Sequence, residues 1–149
     1  GVGEVNVVEK MKKVNAIIGG EGNGGIIYPE LHYGRDALVG VALFLSLLTE
    51  DYLRVSELRN TYPNYAMSKL KISLSEGVDV DLILQTIEKK YADHKPITID
   101  GVKIEFESSW VLLRKSNTEP ILRIYSEAAS EKESEALAQR FLKELQELL

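Results

Sequence analysis

The sequence contains no cysteine, and this absence excludes several kinds of chemistry. A chain without cysteine forms no disulfide, offers no thiolate nucleophile and builds no cysteine-ligated zinc site. Its two histidines, His32 and His94, lie far apart and outside any HxxxH or HExxH spacing. We therefore expect no histidine-rich metal site.

The sequence also lacks a hydrophobic run long enough to cross a membrane. Its longest apolar stretch, residues 37–48, is about half of the roughly 20 residues that a transmembrane helix needs. The N-terminal residues have no signal-peptide pattern. We expect a soluble, cytoplasmic protein with no membrane partner.

The chain has fewer positively charged residues than negatively charged ones. There are 18 lysine and arginine residues against 23 aspartate and glutamate residues in 149, a formal net charge of −5. An acidic chain repels the phosphates of DNA and RNA, so we expect no nucleic-acid partner. The length suits one domain with its own core, or one small domain plus part of another.

Glycine is concentrated in the segment IIGGEGNGGIIYP at residues 17–29. Its GxGxxG spacing matches a dinucleotide-binding loop, but the residues after the last glycine do not begin the helix that such a loop requires. No Lys-Ser/Thr pair follows, which excludes a P-loop.

What remains is a loop in which glycines surround Glu21 and Asn23. A carboxylate accepts hydrogen bonds from neighbouring sugar hydroxyls, and a carboxamide both donates and accepts, so the loop predicts sugar binding. The alternative is a glycine-rich turn with a solvated glutamate.

A second polar cluster lies between two apolar segments, in LLRKSNTEPILRIYSEA. Guanidinium, hydroxyl and carboxamide donors are the groups that bind a phosphate monoester. Because side chains alternate along a strand, Arg123 need not point in the same direction as Arg114. Turn chemistry and surface ion pairs are the structural alternative for this cluster. The predicted phosphate-binding residues are Arg114, Ser116, Asn117, Thr118 and Arg123.

The hydrophobic pattern predicts an α+β fold in two parts. Residues 1–55 are expected to be the α/β tail end of one domain, with a buried strand at 14–20 and a helix at 35–50 that is apolar on nearly all sides. Residues 56–149 are expected to form a C-terminal domain with a mainly antiparallel four- to five-stranded sheet packed by two helices.

Within the second part, the segment ITIDGVKIEF predicts a β-hairpin. A two-residue turn at residues 100–101 pairs Ile99 with Val102, and Ile97 with Ile104. All four apolar side chains then lie on one face of the hairpin.

Three segments, in order, resemble a known family: GGEGNGG at 19–25, GRDALVG at 34–40 and RKSNTEPILRIYSEA at 114–128. Together they closely resemble the C-terminal half of the α-D-phosphohexomutases of the phosphomannomutase/phosphoglucomutase type. The resemblance extends over essentially the whole chain, and its Arg-x-Ser-Asn-Thr-Glu-Pro element is the specific part. It implies that a third domain binds sugar hydroxyls through Glu21 and Asn23. A fourth domain would hold the phosphate that is not transferred, through Arg114, Ser116, Asn117 and Thr118.

The resemblance also implies a reaction. Such enzymes interconvert hexose 1-phosphate and hexose 6-phosphate through a phosphoserine and a hexose 1,6-bisphosphate intermediate, with Mg²⁺. The family's phosphoserine loop and Asp-Gly-Asp metal loop do not occur in these 149 residues. The chain is therefore expected to be a fragment without catalytic residues or metal ligands, dependent on upstream domains of the same protein and inactive alone.

The residues leave several questions open. Many relatives have a histidine where this sequence has Gly25, so the general acid or base is unidentified. Glu21 and Asn23 do not separate glucose, mannose and glucosamine phosphates, which differ at one ring position. The alternatives are a phosphoglucosamine mutase of the same family, a stand-alone phosphosugar-binding module, or a sheet that binds other macromolecules. Oligomeric state is also open.

Overall fold

The chain folds into two separate units in a computed structural model that describes residues 1, 3–50, 54–75, 77–116 and 118–149. The units are Gly1–Pro63 and Asn64–Leu149. The division lies a few residues after the predicted domain boundary at 55 and 56.

The first unit combines three helices with a small antiparallel sheet in the strand order β1-β2-β3. Its elements are α1 (Glu4–Val14), β1 (Gly19–Gly20), β2 (Ile26–Tyr28), β3 (His32–Arg35), α2 (Ala37–Glu50) and α3 (Val55–Thr61). Strand β3 ends at Arg35 and α2 begins at Ala37. The glycine loop, residues 21–25, joins β1 to β2 of the same sheet and is therefore close to the start of α2 along the chain.

The buried strand predicted at residues 14–20 is wrong. Helix α1 ends at Val14, and Asn15 closes it in the left-handed conformation with φ 52°, its N–H bonded to the Met11 carbonyl. Ile17 and Ile18 are exposed, and strand β1 begins only at Gly19. A short apolar run is compatible with either a strand or a helix end, and here the asparagine cap divides it.

Helix α2 forms at the predicted place, but none of its residues is buried in the described chain. Leu38 is 82% exposed, and Val41 and Leu45 are also largely exposed. Among the described residues, α2 contacts strand β2 near Gly40 and Ile26, and much of its remaining apolar surface is exposed. This helix is 14 residues long, and no helix in the described ranges has both the length and the apolar character for a membrane span.

The second unit is a four-stranded antiparallel sheet in the order β4-β7-β6-β5, with two helices on one face. Its strands are β4 (Ala66–Ser73), β5 (Val102–Glu105), β6 (Trp110–Lys115) and β7 (Ile121–Ala128). Its helices are α4 (Val80–Lys90) and α5 (Glu131–Gln146), with a short 3-10 turn at Ala92–His94. The predicted α+β fold is confirmed.

The core of this unit lies between the helices and one face of the sheet. Alternate residues of each strand point into it, because successive side chains of a strand lie on opposite faces. Its buried members are Ile83, Leu84, Ile87, Tyr91, Val102, Ile104, Val111, Leu113, Leu122, Ile124, Ala138, Phe141 and Leu145. The other face of the sheet, which we call the open face, carries the intervening residues.

Helices α4 and α5 are joined by a polar cluster at the edge of the core. The Tyr91 hydroxyl donates to Glu144 at 2.8 Å, and Arg140 donates to the Tyr91 oxygen at 2.7 Å. Burial acts to raise the pKa of Glu144, but hydrogen bonds from Lys90, Tyr91 and Arg140 outweigh it and hold this pKa below its usual value. The carboxylate therefore stays charged and fixes the two helices to each other.

The predicted hairpin register is wrong by one position. Ile97 bridges to Lys103 and not to Ile104, and Ile99 is exposed. Gly101 has a φ of +81°, and a Cβ placed there would lie 2.1 Å from the Leu113 carbonyl oxygen. The loop backbone thus packs directly on β6, and this contact favours a wider turn than the two-residue one.

The close approach of this loop to β6 gives a stability prediction. We expect Gly101→Ala to lower the free energy of unfolding by on the order of 3 kcal/mol, since it adds a steric clash to the cost of a positive φ. Gly77→Ala is the matched control, because Gly77 has a φ of +86° but nothing within 4 Å of its Cβ position. Urea unfolding of both variants measures the difference, and equal losses would contradict the contact.

Candidate functional site

Glu21 and Asn23 lie in the tight loop that joins β1 to β2. The Glu21 N–H donates to the Gly25 carbonyl at 3.1 Å, and the Gly24 N–H donates to the Glu21 carbonyl at 3.0 Å. The Asn23 side-chain oxygen accepts from the Gly25 N–H at 2.9 Å. Gly24 has a φ of +90°, which glycine adopts easily. The loop is therefore held closed by its own backbone and by Asn23.

The structure brings the two predicted sugar-binding side chains into direct contact. The Asn23 amide nitrogen donates to Glu21 Oε2 at 3.4 Å, and the Gly3 N–H donates to Glu21 Oε1 at 3.1 Å. A carboxylate has about four acceptor positions, so each oxygen keeps capacity for a further donor. The glutamate is oriented and can still accept from hydroxyl groups.

A cavity of about 640 Å³ opens beside this loop within the first unit. Asn23 and Gly25 line one side, and Glu4, Arg35 and Asp36 line another. Arg35 Nε donates to Glu4 Oε2 at 2.8 Å. No role for these three charged residues was predicted from the sequence, although GRD at 34–36 was part of the family resemblance.

Arg35 also packs against Gly25 of the glycine loop. A Cβ placed on Gly25 would lie 2.7 Å from Arg35 Cδ. The guanidinium side chain therefore occupies the space that a side chain at position 25 would need. The glycine and the arginine fit together as a pair.

Asp36 and His32 fix the turn between β3 and α2. Asp36 Oδ1 accepts from the Val39 N–H at 3.0 Å, as a helix N-cap does, and Oδ2 lies 3.2 Å from His32 Nε2. The Val39 hydrogen bond, with a smaller contribution from His32, lowers the pKa of Asp36. His32 Nδ1 accepts from the Gly34 N–H at 2.9 Å, so Nε2 carries the proton that Asp36 accepts. Both ring nitrogens of His32 thus hold this turn.

In the second unit, strand pairing brings the two predicted arginines together. Arg114 of β6 lies directly opposite Arg123 of β7 in the antiparallel register. Directly opposed residues share a face, and the adjacent pair Leu113 and Ile124 points into the core. Both arginines therefore lie on the open face. Alternation within one strand did not reveal this, because the common direction follows from pairing between strands.

The loop after β6 adds hydroxyl groups to the arginines. Arg123 Nη2 lies 3.5 Å from Ser116 Oγ and 3.2 Å from Glu119 Oε2. Ser116 Oγ lies 3.5 Å from Thr118 Oγ1 and 3.4 Å from the Thr118 N–H. The contacts of Ser116 and Thr118, at 3.4 to 3.5 Å, are weak, so their hydroxyl groups remain available to a ligand. Asn117, the remaining predicted residue, lies outside the described residues.

Arg114 is oriented by an acidic partner from the preceding loop. Its Nε donates to Asp100 Oδ1 at 2.9 Å, and the Arg114 side chain is 20% exposed. A guanidinium has five N–H donors, so Arg114 has donors in addition to the Nε–H that it gives to Asp100. The structure thus brings together four of the five predicted phosphate-binding residues: Arg114, Ser116, Thr118 and Arg123.

The described residues contain no group of three or more His, Asp or Glu side chains that could hold a metal ion.

Two family models match the chain, one on each unit. Residues 1–65 match phosphoglucomutase/phosphomannomutase, alpha/beta/alpha domain III. Residues 70–144 match phosphoglucomutase/phosphomannomutase, C-terminal domain. The glycine loop falls in the first match, and the arginine-bearing strands fall in the second.

Curated relatives are similar over nearly the whole chain. A phosphoglucosamine/phosphogalactosamine mutase of Sulfurisphaera tokodaii is 42% identical over 87% of this chain and 29% of its own length. A phosphoglucomutase/phosphomannomutase of Thermococcus kodakarensis is 37% identical over 99% of this chain and 32% of its own length. The chain thus spans about a third of the length of these relatives.

A crystal structure shares the fold. The phosphoglucomutase/phosphomannomutase family protein of Burkholderia thailandensis superposes with a TM-score of 0.72 at 24% identity, covering 97% of this chain and 31% of that one.

Proposed function

This chain belongs to the phosphoglucomutase/phosphomannomutase family, and we propose that it is the substrate-binding part of an enzyme that interconverts hexose 1-phosphate and hexose 6-phosphate. In this proposal the first unit binds sugar hydroxyls, and the second unit binds the phosphate ester that is not being transferred. The phosphoryl group passes through a phosphoserine and a hexose 1,6-bisphosphate. The serine and the Mg²⁺ ligands are assigned to other domains of the same protein.

The observation that carries the proposal is the convergence of Arg114, Arg123, Ser116 and Thr118 at one end of the open face. A phosphate monoester carries close to two negative charges on three terminal oxygens. Guanidinium groups meet such oxygens with paired N–H donors, and hydroxyl groups add further ones. Each charge-assisted hydrogen bond contributes roughly 1.5–3 kcal/mol, so a few of them hold the ester in one place.

The glycine loop supports the sugar-binding half of the proposal. Glu21 is oriented by Gly3 and Asn23, and its carboxylate retains acceptor capacity. Flanking glycines leave the backbone open to a sugar ring. The adjacent cavity of about 640 Å³ is large enough for a monosaccharide-sized ligand.

The residues of the glycine loop and of the proposed phosphate site would position the substrate and would not form or break bonds themselves. Phosphoryl transfer depends mainly on alignment and on stabilisation of charge. A fixed set of phosphate donors and a fixed set of hydroxyl acceptors can hold a hexose bisphosphate in either of two orientations. Each orientation presents a different end of the sugar to the phosphoserine, which is what an exchange between the 1- and 6-positions requires.

A second candidate is an amino sugar substrate. Among the curated relatives, the Sulfurisphaera tokodaii protein is named a phosphoglucosamine/phosphogalactosamine mutase, and that of Methanopyrus kandleri a probable phosphoglucosamine mutase. Glu21 is compatible with this substrate too, because a carboxylate accepts from a protonated amine as well as from a hydroxyl.

We expect Arg114→Ala to weaken binding of inorganic phosphate and of glucose 1-phosphate roughly tenfold to a hundredfold, the value of one charge-assisted bond. Lys115→Ala is the matched control, since Lys115 follows Arg114 directly but pairs with Asp81 at 3.0 Å. NMR titration of the chain with each ligand measures both. Equal effects of the two substitutions on phosphate affinity would contradict the assignment of Arg114.

Glu21→Gln tests the sugar-binding loop. The substitution keeps the shape of the side chain but removes its charge and half of its acceptors, so glucose 1-phosphate should bind roughly tenfold more weakly. Inorganic phosphate affinity should not change. Glu30→Gln is the control, because Glu30 is an exposed carboxylate of the same unit that accepts from Tyr28 at 2.7 Å. A loss that is equal for both ligands would contradict the sugar-binding role.

The sugar preference can be measured directly by calorimetric titration with glucose 1-phosphate, mannose 1-phosphate and glucosamine 1-phosphate. The main proposal expects one of the two neutral sugars to bind at least several-fold more tightly than glucosamine 1-phosphate. The reverse order would favour the amino sugar substrate. If none of the three sugar phosphates binds but inorganic phosphate does, the chain binds phosphate without recognising the sugar.

A further inference from the structure

The register of the sheet aligns a third positive charge with the two arginines. Lys71 of β4 lies directly opposite Arg123 of β7, and Arg123 lies directly opposite Arg114 of β6. The three strands are neighbours in the sheet, so the three side chains form one row on the open face. We call Lys71, Arg123 and Arg114 the cationic row.

Such a row is unfavourable without negative charge nearby, because like charges at directly opposed positions repel. Arg114 is paired with Asp100 at 2.9 Å, and Arg123 with Glu119 at 3.2 Å. Within the described ranges, Lys71 has no carboxylate partner. The row thus contains three cationic side chains but only two carboxylate partners. One positive charge in the row is therefore unbalanced and can be neutralised by a bound anion.

The adjacent row of the open face also contains cations, Lys69 and Lys103, but Lys103 pairs with Glu105 and neither lies opposite an arginine. In the next row, Lys69 lies over the ring of Tyr125 at 5.9 Å from its centroid. In the row after that, Trp110 Nε1 donates to Glu127 at 2.9 Å. The cationic row is the one closest to the 116–120 loop, where Ser116 and Thr118 lie.

Space is available beside the row. A cavity of about 340 Å³ lies over β4 and β7, and its polar lining is Lys69, Lys71, Glu119, Arg123 and Tyr125. Neighbouring strands are about 4.8 Å apart, so Lys71 is one strand away from Arg123 and its long flexible side chain can reach the same oxygen atoms.

We propose that Lys71 is a further phosphate-binding residue, which extends the phosphate site from the β6–β7 loop across Arg123 to the edge strand β4. The inference rests on the proposed function, since it adds a residue to the same site. The ligand chemistry is a phosphate dianion, which inorganic phosphate and a hexose phosphate share. No local motif marks Lys71, because its position in the row depends on strand pairing alone.

Lys71→Met tests this inference in NMR titrations of the chain with inorganic phosphate and with glucose 1-phosphate. We expect both dissociation constants to rise roughly threefold to tenfold. Lys71→Arg should retain most of the affinity because it restores the charge. Lys143→Met makes the same charge change on helix α5, on the other side of the sheet, and should alter affinity by less than about twofold.

Lys69→Met separates the row from a diffuse positive patch. Lys69 is two residues away on the same strand and face but lies opposite Tyr125. We expect it to weaken phosphate binding less than Lys71→Met does. Equal effects of the two lysine variants would overturn the inference, because general positive charge would then account for both. Chemical shifts of core residues in each variant verify that the second unit remains folded.

The remaining outcomes distinguish this inference from the proposed function. If Arg114→Ala weakens phosphate binding and Lys71→Met does not, Lys71 is outside the site and the proposed function stands. If neither substitution has an effect, both proposals fail. If Lys71→Met weakens inorganic phosphate but leaves glucose 1-phosphate unchanged, Lys71 binds free phosphate only, and its role toward the substrate is overturned.

Discussion

The antiparallel pairing of β6 with β7 is the constraint on which the proposed phosphate site depends. In this register Leu113 and Ile124 are opposed and both are fully buried in the core. Since successive side chains alternate, Arg114 and Arg123 are then opposed on the open face. A slip of one residue would turn the arginines toward the helices and the aliphatic side chains toward solvent. The apolar core therefore fixes the position of the charged groups.

This coupling explains how the sheet tolerates like charges side by side. Repulsion between directly opposed cations costs at most about 1 kcal/mol at an exposed position. Burial of a leucine or isoleucine side chain contributes about 1.5–3 kcal/mol, and each strand buries several. Asp100 and Glu119 reduce the repulsion further at the two arginines. The core thus outweighs the cost of assembling a positive row before any anion is bound.

Predictions from the sequence were correct where the structure depends on residues that are close together in the chain. The predicted helix at 35–50 formed as α2, and the predicted antiparallel sheet packed by two helices formed in the second unit. The predicted site residues were found from their chemical types and their closeness in the chain. Failures arose where a nonlocal contact decided the outcome. The hairpin register depends on the contact of Gly101 with Leu113, and the common direction of the two arginines depends on strand pairing. No local signal marks Lys71, whose proposed role depends on strand pairing, whereas Arg35 lies within the GRD segment of the family resemblance.

The two candidate loops are stabilised by different means. The two arginines of the proposed phosphate site lie on strands that pack against a large core, so their positions are set by packing. Among the described residues of the first unit, the buried apolar side chains are only Met11, Ile27 and Leu58, and α2 has none. The glycine loop must therefore obtain its shape from short-range hydrogen bonds among residues 21–25 and from Asn23. Such a loop keeps its local geometry without a large core beneath it. Local hydrogen bonds of this kind can hold the Glu21 carboxylate in one orientation and leave space beside it for the proposed ligand.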